Sequence, residues 1–263
     1  MRLAGLALVL SLAVAAVPAR ADTVDDFTTA VPGIPGKTWI DLLRQLFPEI
    51  AAGPKHEAIV HDQIALRPIE EDGAFTDECP DELKLRSLEF SQTRIAGKPR
   101  LIVGIATDGD ACVAPLALFD GSGEGKLLDA ANVKQDKNYS FGRDFTRSLG
   151  PDGQLVVVTN FHTNAGEGYD TETLVLATVD KLSSIGSVTA KSEVDCRRST
   201  SEEATISIAP DYGPFARITA YVKTSTRRVA DDCQTAQGRE MITIDRIEWR
   251  WSAARQGYRK LTR

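Results

Sequence analysis

The chain has 263 residues, of which 42% are apolar and 26% are charged, and its formal net charge is −6. This apolar content excludes general disorder, and the acidic balance argues against nucleic acid or an anionic membrane as a general partner. About 240 residues would remain after removal of a leader, which is enough for one large β-domain.

The first 21 residues are typical of an export signal. Arg2 gives the positive start, residues 3–17 form an apolar run, and residues 19–21 (Ala-Arg-Ala) place small side chains where a signal peptidase reads. The run is shorter than the roughly 18 residues of a membrane-spanning helix. We therefore expect cleavage between Ala21 and Asp22, and a soluble mature protein, without a membrane span, that is periplasmic or secreted. Loss of the leader's two arginines would bring the net charge to −8.

Residues 22–36 contain two Pro-Gly pairs and predict a flexible lead-in. A short helix is predicted next, with Thr38 as its N-cap and Asp41 in its first turn. Pro48 would mark its end. Three apolar residues recur at helical spacing: Ile40, Leu43 and Phe47. We expect this helix to cover part of a β-core.

From Leu83 onward, short apolar runs separated by turn residues predict about ten strands. Residues 154–162 and 172–179 predict a hairpin, and the unbroken apolar run 155–158 predicts a strand covered on both faces. The sequence thus indicates a mainly β fold, either an antiparallel sandwich, a barrel or an open propeller-like array of sheets, with one short N-terminal helix. We assign residues 37–263 to a single β-rich domain.

The predicted strand over residues 246–251, which precedes a turn and a short last strand from Tyr258, shows the clearest alternation. Ile247, Trp249 and Trp251 would share one face, which we expect to be core, and the charged residues between them would share the other. The region from residue 246 to the end carries six basic residues against one glutamate, which suggests a basic hairpin beside an acidic body.

Four widely spaced cysteines predict structural disulfides in an exported protein. They are Cys79, Cys112, Cys196 and Cys233. Sequential pairing is our prediction, although three pairings are possible. A metal or redox site is not indicated, because the chain has no Cys-x-x-Cys and no histidine near any cysteine in sequence.

A glycine-rich segment over 120–126 places oxygen-bearing side chains at alternate positions, as calcium loops do. Its candidate calcium ligands are Asp120, Ser122, Glu124 and Asp129. Over about ten residues it resembles the calcium loops of integrin-type propeller repeats. Leu128 and Ala131 depart from the calcium pattern at its ninth and twelfth positions. A hairpin turn is the simpler interpretation, and we expect no cofactor other than possible calcium.

The segment 160–170 concentrates polar side chains around a tight glycine-containing turn. The candidate ligand-binding residues are His162, Asn164, Glu167, Tyr169 and Asp170. His162 with a carboxylate is a possible acid–base pair. No serine or cysteine elbow accompanies it, so a structural role for this histidine is the alternative.

No motif identifies an enzyme, and we assign no catalytic residue. The sequence favours a non-enzymatic exported protein that binds an unknown exported protein or a small ligand through loops. The first alternative is an extracytoplasmic hydrolase with a site near His162. The second is an inhibitor or accessory subunit of a secreted complex, with the Trp249 and Trp251 face as its interface.

Overall fold

The structure is a computed structural model that describes residues 21–53, 57–61, 66–70, 80–108, 112–136, 138–164, 167–194, 197–230 and 236–261. These residues form sixteen strands and one short helix, and the strands make two open antiparallel sheets. The mainly β prediction is confirmed, and among its three architectures the open sheets fit a sandwich and not a closed barrel. The export signal, residues 1–20, lies outside the described residues.

The first sheet has seven strands, whose order is β2-β3-β4-β5-β6-β7, with β1 paired to β4. Their bounds are β1 Asp22–Val24, β2 Ala51–Ala52, β3 Ala58–Val60, β4 Leu83–Ile95, β5 Lys98–Thr107, β6 Pro115–Asp120 and β7 Leu127–Asn132. The strands of two or three residues were not predicted from the sequence, because so short a segment carries no periodic signal.

The second sheet has nine strands, in the order β16-β15-β14-β13-β12-β11-β10-β8, with β9 paired to β10. Their bounds are β8 Asn138–Ser140, β9 Thr146–Gly150, β10 Gly153–Asn164, β11 Glu167–Ala177, β12 Leu182–Val194, β13 Arg198–Ala209, β14 Arg217–Val229, β15 Ala236–Ser252 and β16 Gly257–Leu261. The predicted hairpin is confirmed as β10 and β11, whose register runs from Gln154 opposite Ala177 to Asn164 opposite Glu167.

The two sheets pack face to face through aliphatic side chains. This interface includes Ile102, Leu116 and Leu118 of the first sheet and Val156, Val158 and Val175 of the second. The neighbouring residues Leu155 and Val157 point the other way into a further core, as predicted for a strand covered on both faces.

That further core exists because the second sheet folds back on itself. Strand β12 pairs with β13 only between residues 192–194 and 199–201, so the rest of the two strands is free to separate. Trp249, which is 1% exposed, fills the space between the layers together with Ile218 and Leu174. Gly186 has φ +135 and lies against it, where a Cβ would come within 3.0 Å of the Trp249 Nε1. The tryptophan face is therefore core, as the alternation predicted.

The helix α1 spans Trp39–Leu43 and has the predicted N-terminus. The Thr38 hydroxyl accepts from the Asp41 backbone N–H, and the Asp41 carboxylate accepts from the Thr38 backbone N–H. The helix ends earlier than Pro48, and turns continue the chain to Phe47, whose N–H donates to the Leu43 carbonyl. The predicted apolar positions are all buried against the first sheet, on the face opposite the second sheet.

Residues 22–36 differ from the prediction of a flexible lead-in. Their first three residues form β1, and Phe27, Val31 and Ile34 are buried in the core beneath α1. The Pro-Gly pairs shape turns that place these three apolar side chains inward, so turn residues alone did not reveal the packing. Among the described residues, no helix has the length and apolarity needed to cross a bilayer.

Cys112 is 2% exposed, and the described part of the chain contains no free cysteine. The other three cysteines lie outside the described residues, and the disulfide pairing stays a prediction.

Candidate functional site

The β10–β11 hairpin brings together four of the five residues predicted to bind a ligand. His162 lies opposite Tyr169, and Asn164 lies opposite Glu167. Because side chains alternate along a strand and opposed residues share a face, these four point to one side of the sheet. Asp170 is registered with Phe161 and points to the other side.

The sequence missed the group that organises this face, which is Asp136. Its Oδ1 lies 3.1 Å from the His162 Nδ1, and its Oδ2 accepts a hydrogen bond from the Tyr169 hydroxyl. The two rings are stacked, with centroids 5.3 Å apart and an interplanar angle of 13°. The Asp136 side chain is 7% exposed and that of His162 is 25% exposed. The buried carboxylate therefore holds two partly exposed rings in place.

The segment that carries Asp136 is itself fixed by buried amides. The Asn132 Oδ1 accepts from the backbone N–H groups of Ala114 and Lys134. The Asn160 Oδ1 accepts from the backbone N–H of Gln135 at 2.9 Å. Asn160 is fully buried, and lies two residues before His162 on the same face of β10. The strand that carries the histidine thus also positions its carboxylate partner.

The hydrogen bond from Tyr169 to Asp136 raises the pKa of the Tyr169 hydroxyl to about 12, and partial desolvation and the negative charge add to the effect. The tyrosine therefore remains a donor at physiological pH. A carboxylate at Nδ1 favours the histidine tautomer protonated there, which leaves Nε2 to meet a ligand or a proton.

Three of the four candidate calcium residues, Asp120, Ser122 and Asp129, are engaged in other interactions. The Asp120 Oδ1 accepts from the Arg100 Nη1 at 3.2 Å and from the Ser122 hydroxyl at 2.9 Å. The Asp129 Oδ2 pairs with the Arg67 Nη2 at 2.6 Å and accepts from the Leu182 backbone N–H at 2.7 Å. Within the described ranges, no group of three or more His, Cys, Asp or Glu side chains is arranged to hold a metal ion. Calcium binding stays a prediction.

The basic terminal segment contains a local group of ion pairs. Arg246 and Arg250 both pair with Glu248, which is 7% exposed, and the distance from the Arg250 Nε to the Glu248 Oε1 is 2.6 Å. Desolvation opposes ionisation of Glu248, but these hydrogen bonds and positive charges hold its pKa below the ordinary value. The Arg250 Nε also lies 3.9 Å from Asp211.

A second candidate surface was not predicted from the sequence. We call it the ribbon: residues 198–205 of β13, 221–229 of β14 and 236–246 of β15. Its large apolar side chains remain accessible, with exposed fractions of 41% for Tyr221, 51% for Ile242 and 63% for Ile244. Ile244 lies opposite Lys223, and Tyr221 lies opposite Arg246.

Alternation places these three apolar side chains on one face, which we call the outer face of the ribbon. Lys223 and Glu203 are also opposed on this face, so charges of both signs border the apolar residues. The periodic pattern of β15 does not predict this patch, because a sequence does not distinguish exposed apolar residues from buried ones.

Comparison of the chain with protein-family models, with curated proteins and with solved structures finds no match. Its function is therefore inferred from its own residues.

Proposed function

We propose that the protein is an exported, non-enzymatic binding protein that engages a protein partner through the outer face of the ribbon. The observation that carries this proposal is the exposure of Tyr221, Ile242 and Ile244 on one continuous face. Single exposed apolar residues are ordinary, but neighbouring ones form a patch that marks an interaction surface.

The chemistry of this face favours a protein as the occupant. Its centre is aromatic and aliphatic, and its margin carries Lys223, Glu203 and Arg246. An apolar centre with a polar rim, enriched in tyrosine and arginine, is the usual anatomy of a protein–protein interface. The alternative of an inhibitor or accessory subunit is compatible with this surface, although its interface would be the ribbon and not the buried tryptophan face.

Two features support the extracytoplasmic location. Strand β1 begins at Asp22, the first residue after the predicted cleavage site, and pairs with residues 88–90. The mature chain would therefore keep its first strand in the sheet. Cys112 is also buried and not free, as expected of a protein stabilised by disulfides outside the cytoplasm.

The second candidate function is hydrolysis, and the contact between His162 and Asp136 is what favours it. A carboxylate-oriented histidine with an outward Nε2 is the arrangement of a general base. We place this function second because Tyr169 occupies the other carboxylate oxygen and stacks on the imidazole. Those contacts immobilise the ring in a way that a structural role explains equally well.

Recovery of the native partner from the exported fraction tests the proposal. We expect wild-type protein and the His162→Ala variant to retain one stoichiometric protein, and the Tyr221→Ser/Ile244→Ser variant to lose it. The purified partner should then bind the double variant with an affinity at least about tenfold lower than its affinity for wild-type protein, because hot-spot residues each contribute on the order of 2 kcal/mol.

Two outcomes would contradict the proposal. The first is equal binding of the purified partner to wild-type protein and to the Tyr221→Ser/Ile244→Ser variant. The second is absence of a stoichiometric partner together with ester or amide hydrolysis that His162→Ala abolishes, which would establish the second candidate.

A further inference from the structure

The far end of the ribbon contains a cavity of about 710 Å³ with an unusual concentration of guanidinium groups. Its lining residues are Arg197, Arg198, Thr226, Arg227, Arg228, Arg239, Glu240, Met241 and Ile242. Among the described residues of this lining, five arginines therefore face one glutamate. This volume is in the range of small-molecule and peptide side-chain sites, and it is far larger than a single inorganic anion.

The cavity lies beside an irregularity in the pairing of β14 with β15. Thr226 pairs with Met241 and Arg228 pairs with Gln237, so the five residues 237–241 of β15 lie opposite the three residues 226–228 of β14. Gly238, in this surplus segment, has φ +81, a conformation that glycine adopts without strain. Bulges of this kind redirect side chains and occur often beside binding sites. Here the surplus residues include Arg239.

Two of the arginines carry the positive potential of the cavity. Arg227 is neutralised by Glu240, whose Oε2 lies 3.2 Å from the Arg227 Nη2, and Arg197 and Arg198 have interactions of their own. Arg228 and Arg239, in contrast, make no ion pair with any residue in the described part of the chain. The cavity also lies on a protein whose mature net charge would be −8, so its positive potential is a local feature and not a property of the whole surface.

We infer that this cavity binds an acidic segment of a protein partner, with side-chain carboxylates on Arg228 and Arg239 and an apolar side chain against Met241. The inference rests on the proposed function and adds the chemistry of the partner. Guanidinium groups bind carboxylates through paired hydrogen bonds. Ile242 contributes both to the cavity and to the outer face of the ribbon, so one segment can occupy both surfaces.

The apolar part of the lining distinguishes a peptide from phosphate as the ligand. A phosphate group would gain nothing from contact with the thioether of Met241 or the side chain of Ile242. It would also leave most of the cavity volume unfilled. A segment that carries acidic and apolar side chains at every second residue matches both parts, because an extended peptide presents residues i and i+2 on the same side.

The test is calorimetric or fluorescence titration of the full-length protein with a short peptide in which glutamate and leucine take turns at every second position, with serine between them, at roughly physiological salt. We expect Arg228→Gln and Arg239→Gln each to weaken binding about tenfold, because each removes a charge-assisted hydrogen bond. Arg255→Gln is the matched control, since it removes the same charge from an exposed turn outside both the ribbon and the cavity, and it should weaken binding by about twofold at most. Thermal unfolding of every variant establishes that the fold is retained.

Three results would overturn the inference: equal binding by wild-type protein and both arginine variants, equal binding of the same peptide with glutamine in place of glutamate, or saturation by inorganic phosphate that displaces the peptide. Failure of the proposed function looks different. The two residues changed in Tyr221→Ser/Ile244→Ser lie outside the cavity. Retention of the native partner by that variant would contradict the ribbon interface. The inference about the cavity would still be decided by the arginine variants.

Discussion

Replacement of Glu89 by glutamine should stabilise the protein, and more so as the pH rises. Glu89 lies in β4 between Leu88 and Phe90, which face the helix side of the sheet, so its own side chain points toward the second sheet. The Glu89 Oε2 is buried and has no hydrogen-bond partner among the described residues. Desolvation by burial raises the pKa of this carboxyl from an ordinary value of 4.5 to about 7.

The sign and size of the effect follow from linkage. The folded protein holds the proton more tightly than the unfolded chain, so the carboxyl costs no stability below the unfolded pKa. The cost grows as the pH rises from about 4.5 and is complete above about 7. A pKa difference of this size corresponds to at most about 3.4 kcal/mol. Because the side chain is half-buried, solvent screening reduces the expected cost to about 1–2 kcal/mol.

Urea denaturation of wild-type protein and of Glu89→Gln at pH 5 and pH 8 measures this cost. We expect the difference in the free energy of unfolding to be small at pH 5 and to reach about 1–2 kcal/mol in favour of the variant at pH 8. Glu82→Gln, an exposed change beside the same strand, is the control and should leave the difference near zero. A Glu89→Gln difference that is independent of pH, or a variant less stable than wild type at pH 8, would refute the reasoning.

Three further predictions concern other regions. Tyr169→Phe should cost about 1–3 kcal/mol in urea denaturation, because Asp136 loses a donor in a buried setting, and an unchanged midpoint would show that water replaces the hydroxyl. Thr38→Ala should cost about 1 kcal/mol in the same measurement through loss of the helix cap, whereas Thr38→Ser should cost little. Mass spectrometry of the exported protein should find Asp22 at its N-terminus, and retention of residues 1–21 would contradict the predicted cleavage.

The sequence predicted those parts of the fold that depend on nearby residues. The helix cap requires only Thr38 and Asp41, three positions apart, and the buried face of β15 is indicated by Trp249 and its alternating neighbours. Interactions of this range leave a periodic or short-spaced pattern that can be read directly.

The missed features depend on residues that are distant in the chain. Asp136 contacts His162 and Tyr169 across separations of 26 and 33 residues, and it lies after a strand in a segment with no recognisable motif. The burial of apolar residues within the segment 22–36 also depends on tertiary packing. Phe27 and Ile34 are buried only because the first sheet and α1 meet around them.

The limited pairing of β12 with β13 has a consequence for how the protein opens. Three register pairs are the only backbone ladder between the described outer layer, β13–β16, and the rest of the second sheet, so the Trp249 core supplies most of the cohesion. This layer should therefore behave as a separate cooperative unit in hydrogen exchange, with amides of β14 exchanging through a partial opening at lower free energy than those of β5. A partner that binds the ribbon would then stabilise the outer layer in its closed state. Its binding would slow that opening and protect the outer layer from proteases.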